Sequence, residues 1–119
     1  MRIVRCEAEG QTFWAEEQAG RFFRLQASLF EGLEPTGTEV QPTRLLAPLQ
    51  PSMIIGIGQN YQKHAEEQGS KVADHPVVFF KALNSVCASG DPIRLPRVLK
   101  SSKVDYEAEL AVAIGKDCL

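Results

Sequence analysis

The chain has 119 residues, a formal net charge of -2, 44% hydrophobic and 24% charged residues. That length suffices for one domain burying roughly two-thirds of its unfolded surface, and this balance excludes an intrinsically disordered chain. The near-neutral charge gives no electrostatic basis for binding nucleic acid or a membrane surface.

No apolar run reaches membrane-spanning length, and the first residues lack a signal-peptide pattern. Cys6, Cys87 and Cys118 are odd in number, far apart and outside any CxxC. They read as reduced thiols of a cytoplasmic protein rather than a disulfide framework or zinc site.

Residues 1–27 read as a small β-meander. Ile3-Val4 opens a first strand, Glu9-Gly10-Gln11 turns, and Thr12-Phe13-Trp14-Ala15 forms a second. Gln18-Ala19-Gly20 turns into a third, Arg21–Leu25. The aromatics of these strands supply a local core. Glu34-Pro35-Thr36-Gly37 reads as a turn. Pro42, Pro48 and Pro51 stiffen a connector around Leu45–Leu49.

Candidate chemistry follows. Met53–Gly58 predicts a short buried strand, and Gln59–Gly69 a short helix with Gln59 or Asn60 near its start and Gly69 as its stop. His64 and Glu67 are three apart and share a face of that helix. A carboxylate beside an imidazole raises its basicity and orients it, as a general base needs; the same spacing also serves an incidental surface pair. Gly56-x-Gly58 lacks the third glycine and acidic partner of a dinucleotide fingerprint. His75–Lys81 predicts a second buried strand. Lys81 at its end either snorkels to water or meets an anionic substrate. The basic set Arg94, Arg97, Lys100 and Lys103 reads as a solvated loop.

Residues 104–116 alternate with period two. Tyr106, Ala108, Leu110, Val112 and Ile114 form a core-like face, while Glu107, Glu109, Ala111 and Ala113 form the other. Tyr106, Leu110 and Ile114 also fit a helical stripe, but the segment is short, and the strand is the preferred reading. Side chains two apart on a strand are about 7 Å apart at Cα, so Glu107 and Glu109 can converge on a cation. A solvated sheet edge would carry the same pair.

In order, Gly-x-Asn-Tyr-x-x-His-x-x-Glu, Pro-Val-x-Phe-x-Lys, Gly-Asp-Pro-Ile-x-Leu-Pro and Asp-Tyr-Glu-x-Glu-Leu-Ala-Val-x-Ile-Gly-Lys lie between Ser52 and Lys116. This set resembles the fumarylacetoacetate hydrolase family, and residues 1–48 resemble the small N-terminal domain of its bacterial members. The likeness extends most to those named 2-hydroxyhepta-2,4-diene-1,7-dioate isomerases and to hydrolases of aromatic compound catabolism. It implies Mg²⁺ or Mn²⁺ on Glu107 and Glu109, a water- or carbon-deprotonating dyad of His64 and Glu67, and oxyanion stabilisation by Lys81. It assigns substrate contact to Asn60, Tyr61 and Ser85, the last sharing with Asn84 a place where Ser or Thr is common.

The expected fold is mainly β with short helices (α+β). Residues 1–50 would form a small β domain and linker, and residues 51–119 the first part of the family's mixed β-roll or β-sandwich, a homodimer when complete. The family's third metal ligand is an aspartate on a later strand, and Asp117 does not match it. The expected function is a metal-dependent hydrolase or isomerase of a small β-diketo acid or unsaturated dicarboxylate, acting through an enolate-like state. The alternative is a catalytically inactive fragment, or one half of a split protein that lacks the third ligand.

Overall fold

The computed structural model describes residues 1–26, 29–98 and 100–117, so that Cys118 lies outside the described residues. The chain divides into one compact unit of Met1–Leu46 with Ser89–Leu119 and a second of Ala47–Ala88.

The first unit is built on an antiparallel sheet of β1 (Arg2–Ala8), β2 (Gln11–Gln18), β3 (Arg21–Gln26), β4 (Glu34–Val40) and β5 (Arg44–Leu45), in the order β4-β3-β2-β1-β5. Two-residue turns join its first three strands. Glu9 and Gly10 have φ of 52° and 73°, and Ala19 and Gly20 have φ of 50° and 82°. Positive φ at both turn positions is the type I′ arrangement, whose twist matches that of the flanking strands. The turns close on the pairs Ala8↔Gln11 and Gln18↔Arg21, and so fix the register of everything between.

That register puts Val4, Cys6 and Ala8 on the same face as Phe13, Ala15, Phe22, Val40 and Leu45. Cys6, Ala8, Phe13 and Ala15 are its buried centre, and the larger side chains pack around them. The expected aromatic core is therefore mostly a rim: of the aromatics only Phe13 is buried among the described residues. Arg24 closes one side, its guanidinium carbon 4.5 Å from the Phe13 ring centroid and Nη2 donating to Gln11 Oε1 at 3.2 Å. Burial pushes the Cys6 thiol up, against the weaker opposing pull of Arg24. On the exposed rim Arg21 Nε donates to Glu39 Oε1 at 2.9 Å, and hydrogen bonding to Arg21 holds the Glu39 carboxyl below its ordinary value.

Two expectations for this unit are corrected. Glu34–Gly37 is the opening of β4 rather than a turn. Pro35 is tolerated because β4 is an edge strand. Gly37, at φ 75°, sits opposite an irregularity between Phe23 and Leu25, where Thr36 Oγ1 donates to the Arg24 carbonyl at 2.8 Å. Residues 104–116 form no ladder and no helix, and the face expected to be core is open, with Tyr106 89% and Leu110 83% exposed. A period-two pattern becomes a strand only where its backbone groups find a ladder to join, and none among the described residues provides one. Asp91 ties residue 91 to β5, accepting from Arg44 Nη2 at 2.8 and 3.1 Å.

The second unit holds β6 (Ile55–Gly58), helix α1 (Gln62–Glu67), β7 (Val77–Phe80) and a 3₁₀ turn, Leu83–Ser85. β6 and β7 pair antiparallel from Ile55↔Phe80 to Gly58↔Val77. Both were expected to be buried. Instead Ile55, Ile57, Val77, Val78, Phe79 and Phe80 are all exposed, in a ladder that has only two strands among the described residues, and a two-stranded ladder by itself covers little apolar surface. The mainly β class with one short helix agrees with the sequence reading. Among the described residues no helix is long and apolar enough to cross a membrane.

Two outcomes follow for the first unit. Ala19 in the left-handed region costs about 1 kcal/mol, so Ala19→Asn should raise stability by roughly that amount in chemical denaturation. The Cys6 thiol, being wholly buried, should resist alkylation in the folded chain while the exposed Cys87 is modified, as peptide mapping by mass spectrometry would read.

Candidate functional site

The second unit carries six of the eight candidate residues. β6 ends at Gly58, Gln59 takes φ 54°, and the chain turns into α1. The helix cap is Tyr61, in extended conformation with no side-chain cap bond, rather than Gln59 or Asn60. Ala65 is the buried residue of the helix and anchors it. The helix stops as the sequence predicts: Gly69, at φ 67°, donates its N–H to the Glu66 carbonyl at 3.0 Å, and Ser70 donates to Ala65 at 2.8 Å. These two bonds form a Schellman motif.

His64 is half-buried and Glu67 exposed. A hydrogen bond that orients the imidazole comes from one turn further on, where Gln68 Nε2 donates to His64 Nε2 at 2.7 Å. A neutral imidazole that accepts at Nε2 carries its proton on Nδ1. Sequence reasoning weighed only the spacing of three and missed this spacing of four, although both bring side chains together on a helix. The same spacing pairs Gln62 with Glu66 at 2.8 Å. Asn60, Gln62, Glu66, Ser70, Lys71 and Val72 line an open groove beside the helix.

Lys81 follows β7 at the opposite end of the ladder from Gly58. Its N–H donates to the Ile54 carbonyl at 3.1 Å, one bond beyond the last strand pair. Its Nζ lies over the Phe79 ring, 5.6 Å from the centroid, within cation–π range. Ser85 Oγ donates to the Ala82 carbonyl at 2.7 Å, so its hydroxyl proton is engaged within its own turn.

Glu107 and Glu109 belong to the first unit and are exposed. Just before them, the Tyr106 N–H donates to Asp105 Oδ1 at 2.8 Å. Further on, the Phe30 ring lies so close to Gly115 that a Cβ there would collide with it, which ties this segment to residue 30. Among the described residues no three His, Cys, Asp or Glu side chains gather into a metal-binding group. Two carboxylates do suit a hard cation such as Mg²⁺, which is commonly held by one or two carboxylates and keeps several waters.

A family described as fumarylacetoacetate (FAA) hydrolase C-terminal matches residues 53–119. The oxaloacetate tautomerase YisK of Bacillus subtilis is 35% identical over 127 residues, covering 96% of this chain and 38% of that protein. The mitochondrial oxaloacetate tautomerase fahd2 of Xenopus laevis is 48% identical over 73 residues, covering 60% of this chain and 22% of its own length. Among solved structures, a putative uncharacterized protein from Mycobacterium abscessus superposes with a TM-score of 0.64 at 30% identity, over 82% of this chain and 39% of that one. The chain thus spans between 22% and 39% of the length of these proteins.

The helix stop generates a prediction. Gly69→Ala forces an L side chain into the left-handed region at a cost of about 1 kcal/mol. It should speed hydrogen exchange at Ser70 and lower the stability of the turn that carries Gln68, while the β1–β3 amides exchange as before.

Proposed function

The chain belongs to the fumarylacetoacetate hydrolase family, and from that premise we propose that the protein interconverts keto and enol forms of a small β-keto dicarboxylate such as oxaloacetate. The observation that carries this reading is the likeness of nearly the whole chain, 96% of it, to an oxaloacetate tautomerase.

His64 is the base in this reading. Its Nε2 lone pair, which Gln68 must first release, takes the proton from the carbon between the two carbonyl groups, and the bonding pair left on carbon becomes the enolate. The imidazolium then returns the proton to the enolate oxygen, so the exchange is balanced within one side chain. Glu67 supports the transient positive charge of the ring. Lys81 offers an ammonium to the developing oxyanion or to a substrate carboxylate, and Asn60, Tyr61 and Ser85 contact the substrate. Glu107 and Glu109 would hold Mg²⁺ or Mn²⁺, which when bound supplies Lewis-acid polarisation of the keto oxygen. Carbon–carbon hydrolysis and isomerisation of a hydroxydienedioate proceed from the same enolate-like state, so their substrates are the competing ones to assay.

The test offers oxaloacetate, 2-hydroxyhepta-2,4-diene-1,7-dioate and an acylpyruvate to the protein with Mg²⁺ or Mn²⁺. Faster decay of the enol absorbance of oxaloacetate is expected, with His64→Ala reducing the rate by about 10²- to 10⁴-fold. Glu107→Gln should weaken Mn²⁺ binding, read by electron paramagnetic resonance independently of turnover. Unchanged turnover in His64→Ala would remove the base. Cleavage of the acylpyruvate without tautomerisation would move the protein to the hydrolase side of the family.

A further inference from the structure

The surroundings of Lys81 contain a feature that the reaction scheme above does not use. Phe79 and Lys81 are two apart, so β-strand alternation directs them to the same side of β7. Directly across the ladder from Phe79 stands Gly56. Gly56 is buried although its neighbours in β6 are not, and what buries it is the Phe79 ring: a Cβ on Gly56 would run into three of the ring's carbon atoms. The glycine therefore lets the ring lie down on the partner backbone instead of standing away from it. Above the same ring sits the Lys81 ammonium, 5.6 Å from the centroid, while the Lys81 backbone is pinned by its bond to Ile54.

We infer that Phe79, seated on Gly56, is a positioning residue that holds the Lys81 ammonium in place for an anionic substrate, an inference that rests on the role proposed above for Lys81. A lysine at the end of an exposed strand has four rotatable bonds and much freedom to lose on binding. The negative face of an aromatic ring attracts the cation without neutralising it, as a carboxylate would. An ammonium has three N–H donors; with one side turned to the ring, the others stay directed at solvent, where a carboxylate or enolate would arrive. The absence of a side chain at Gly56 and the presence of a ring at Phe79 thus act together, two strands contributing to the placement of one charge.

The experiment follows the Lys81 side-chain resonances in the isotopically labelled chain. A cation over a ring face gives upfield-shifted methylene protons, so Lys81 should stand apart from the other lysines. Phe79→Leu should abolish that shift while the β6–β7 amide resonances stay in place, and Phe79→Tyr should keep it. Gly56→Ala, which lifts the ring, should reproduce the effect of Phe79→Leu. In the turnover assay Phe79→Leu should raise KM about two- to fivefold and Phe79→Tyr should restore it. A Lys81 shift untouched by Phe79→Leu, or lost in Phe79→Tyr with the amides unmoved, overturns the placement. If the shift behaves as expected but Lys81→Met turns over normally, the placement holds and the catalytic role of Lys81 is what fails.

Discussion

Every strand in this chain exists because another strand meets its backbone hydrogen bonds, and that requirement decides where order is found. Strand β5 is only two residues long, yet it forms because Cys6 and Glu7 offer it a ladder. Bonds from Thr43 to Glu7 and from Leu46 to Arg5 extend the pairing on either side. Strands β6 and β7 are equally dependent on each other, with no third strand beside them among the described residues. Residues 104–116 have the better strand pattern of all these segments and no ladder, since periodicity describes which faces are apolar and not whether a partner is present.

The same requirement makes the type I′ turns important out of proportion to their size. Closing β1 onto β2 at Ala8↔Gln11 sends Cys6, Phe13 and Ala15 to a common face; a shift of one residue would turn that face to solvent. Because the buried centre is made mostly of small side chains, the bulkier Phe22, Val40 and Leu45 serve as its border. An arginine, Arg24, can then lie along that border. Its guanidinium packs on Phe13 and reaches Gln11.

What could be read from the residues follows from how local each signal is. The hairpins were legible because Gly10 and Gly20 are placed where positive φ is needed, and the helix stop because Gly69 is followed by polar chain. β4 was not, since Pro35 and Gly37 are the marks of a turn unless the strand is an edge with an irregular register, and edge position is a property of the whole sheet. In the candidate site, His64 and Lys81 were identified by their places in the motifs. Their neighbours Gln68 and Phe79 came from geometry. The Glu107 and Glu109 pair was legible as a composition, two acids beginning an otherwise alanine face, but the extended ladder that was to hold them side by side is not formed by the described residues.

The neighbours of His64 and Lys81 differ in a way that suits different tasks. An imidazole meant to take a proton needs its ring held in a defined direction, and the Gln68 amide can hold it at rest but must leave Nε2 before the proton is taken. In the proposed reaction Glu67, three residues along the same helix, supports the charge once the ring has gained it. An ammonium meant to meet an anion needs to keep its charge and its donors, and an aromatic face does that where a carboxylate would compete with the substrate. Exposed pairs of opposite charge contribute little to stability. Glu17, Glu39 and Asp91, the acids that pair with arginine among the described residues, all lie in the first unit. In the second unit an amide meets His64 and an aromatic ring meets Lys81.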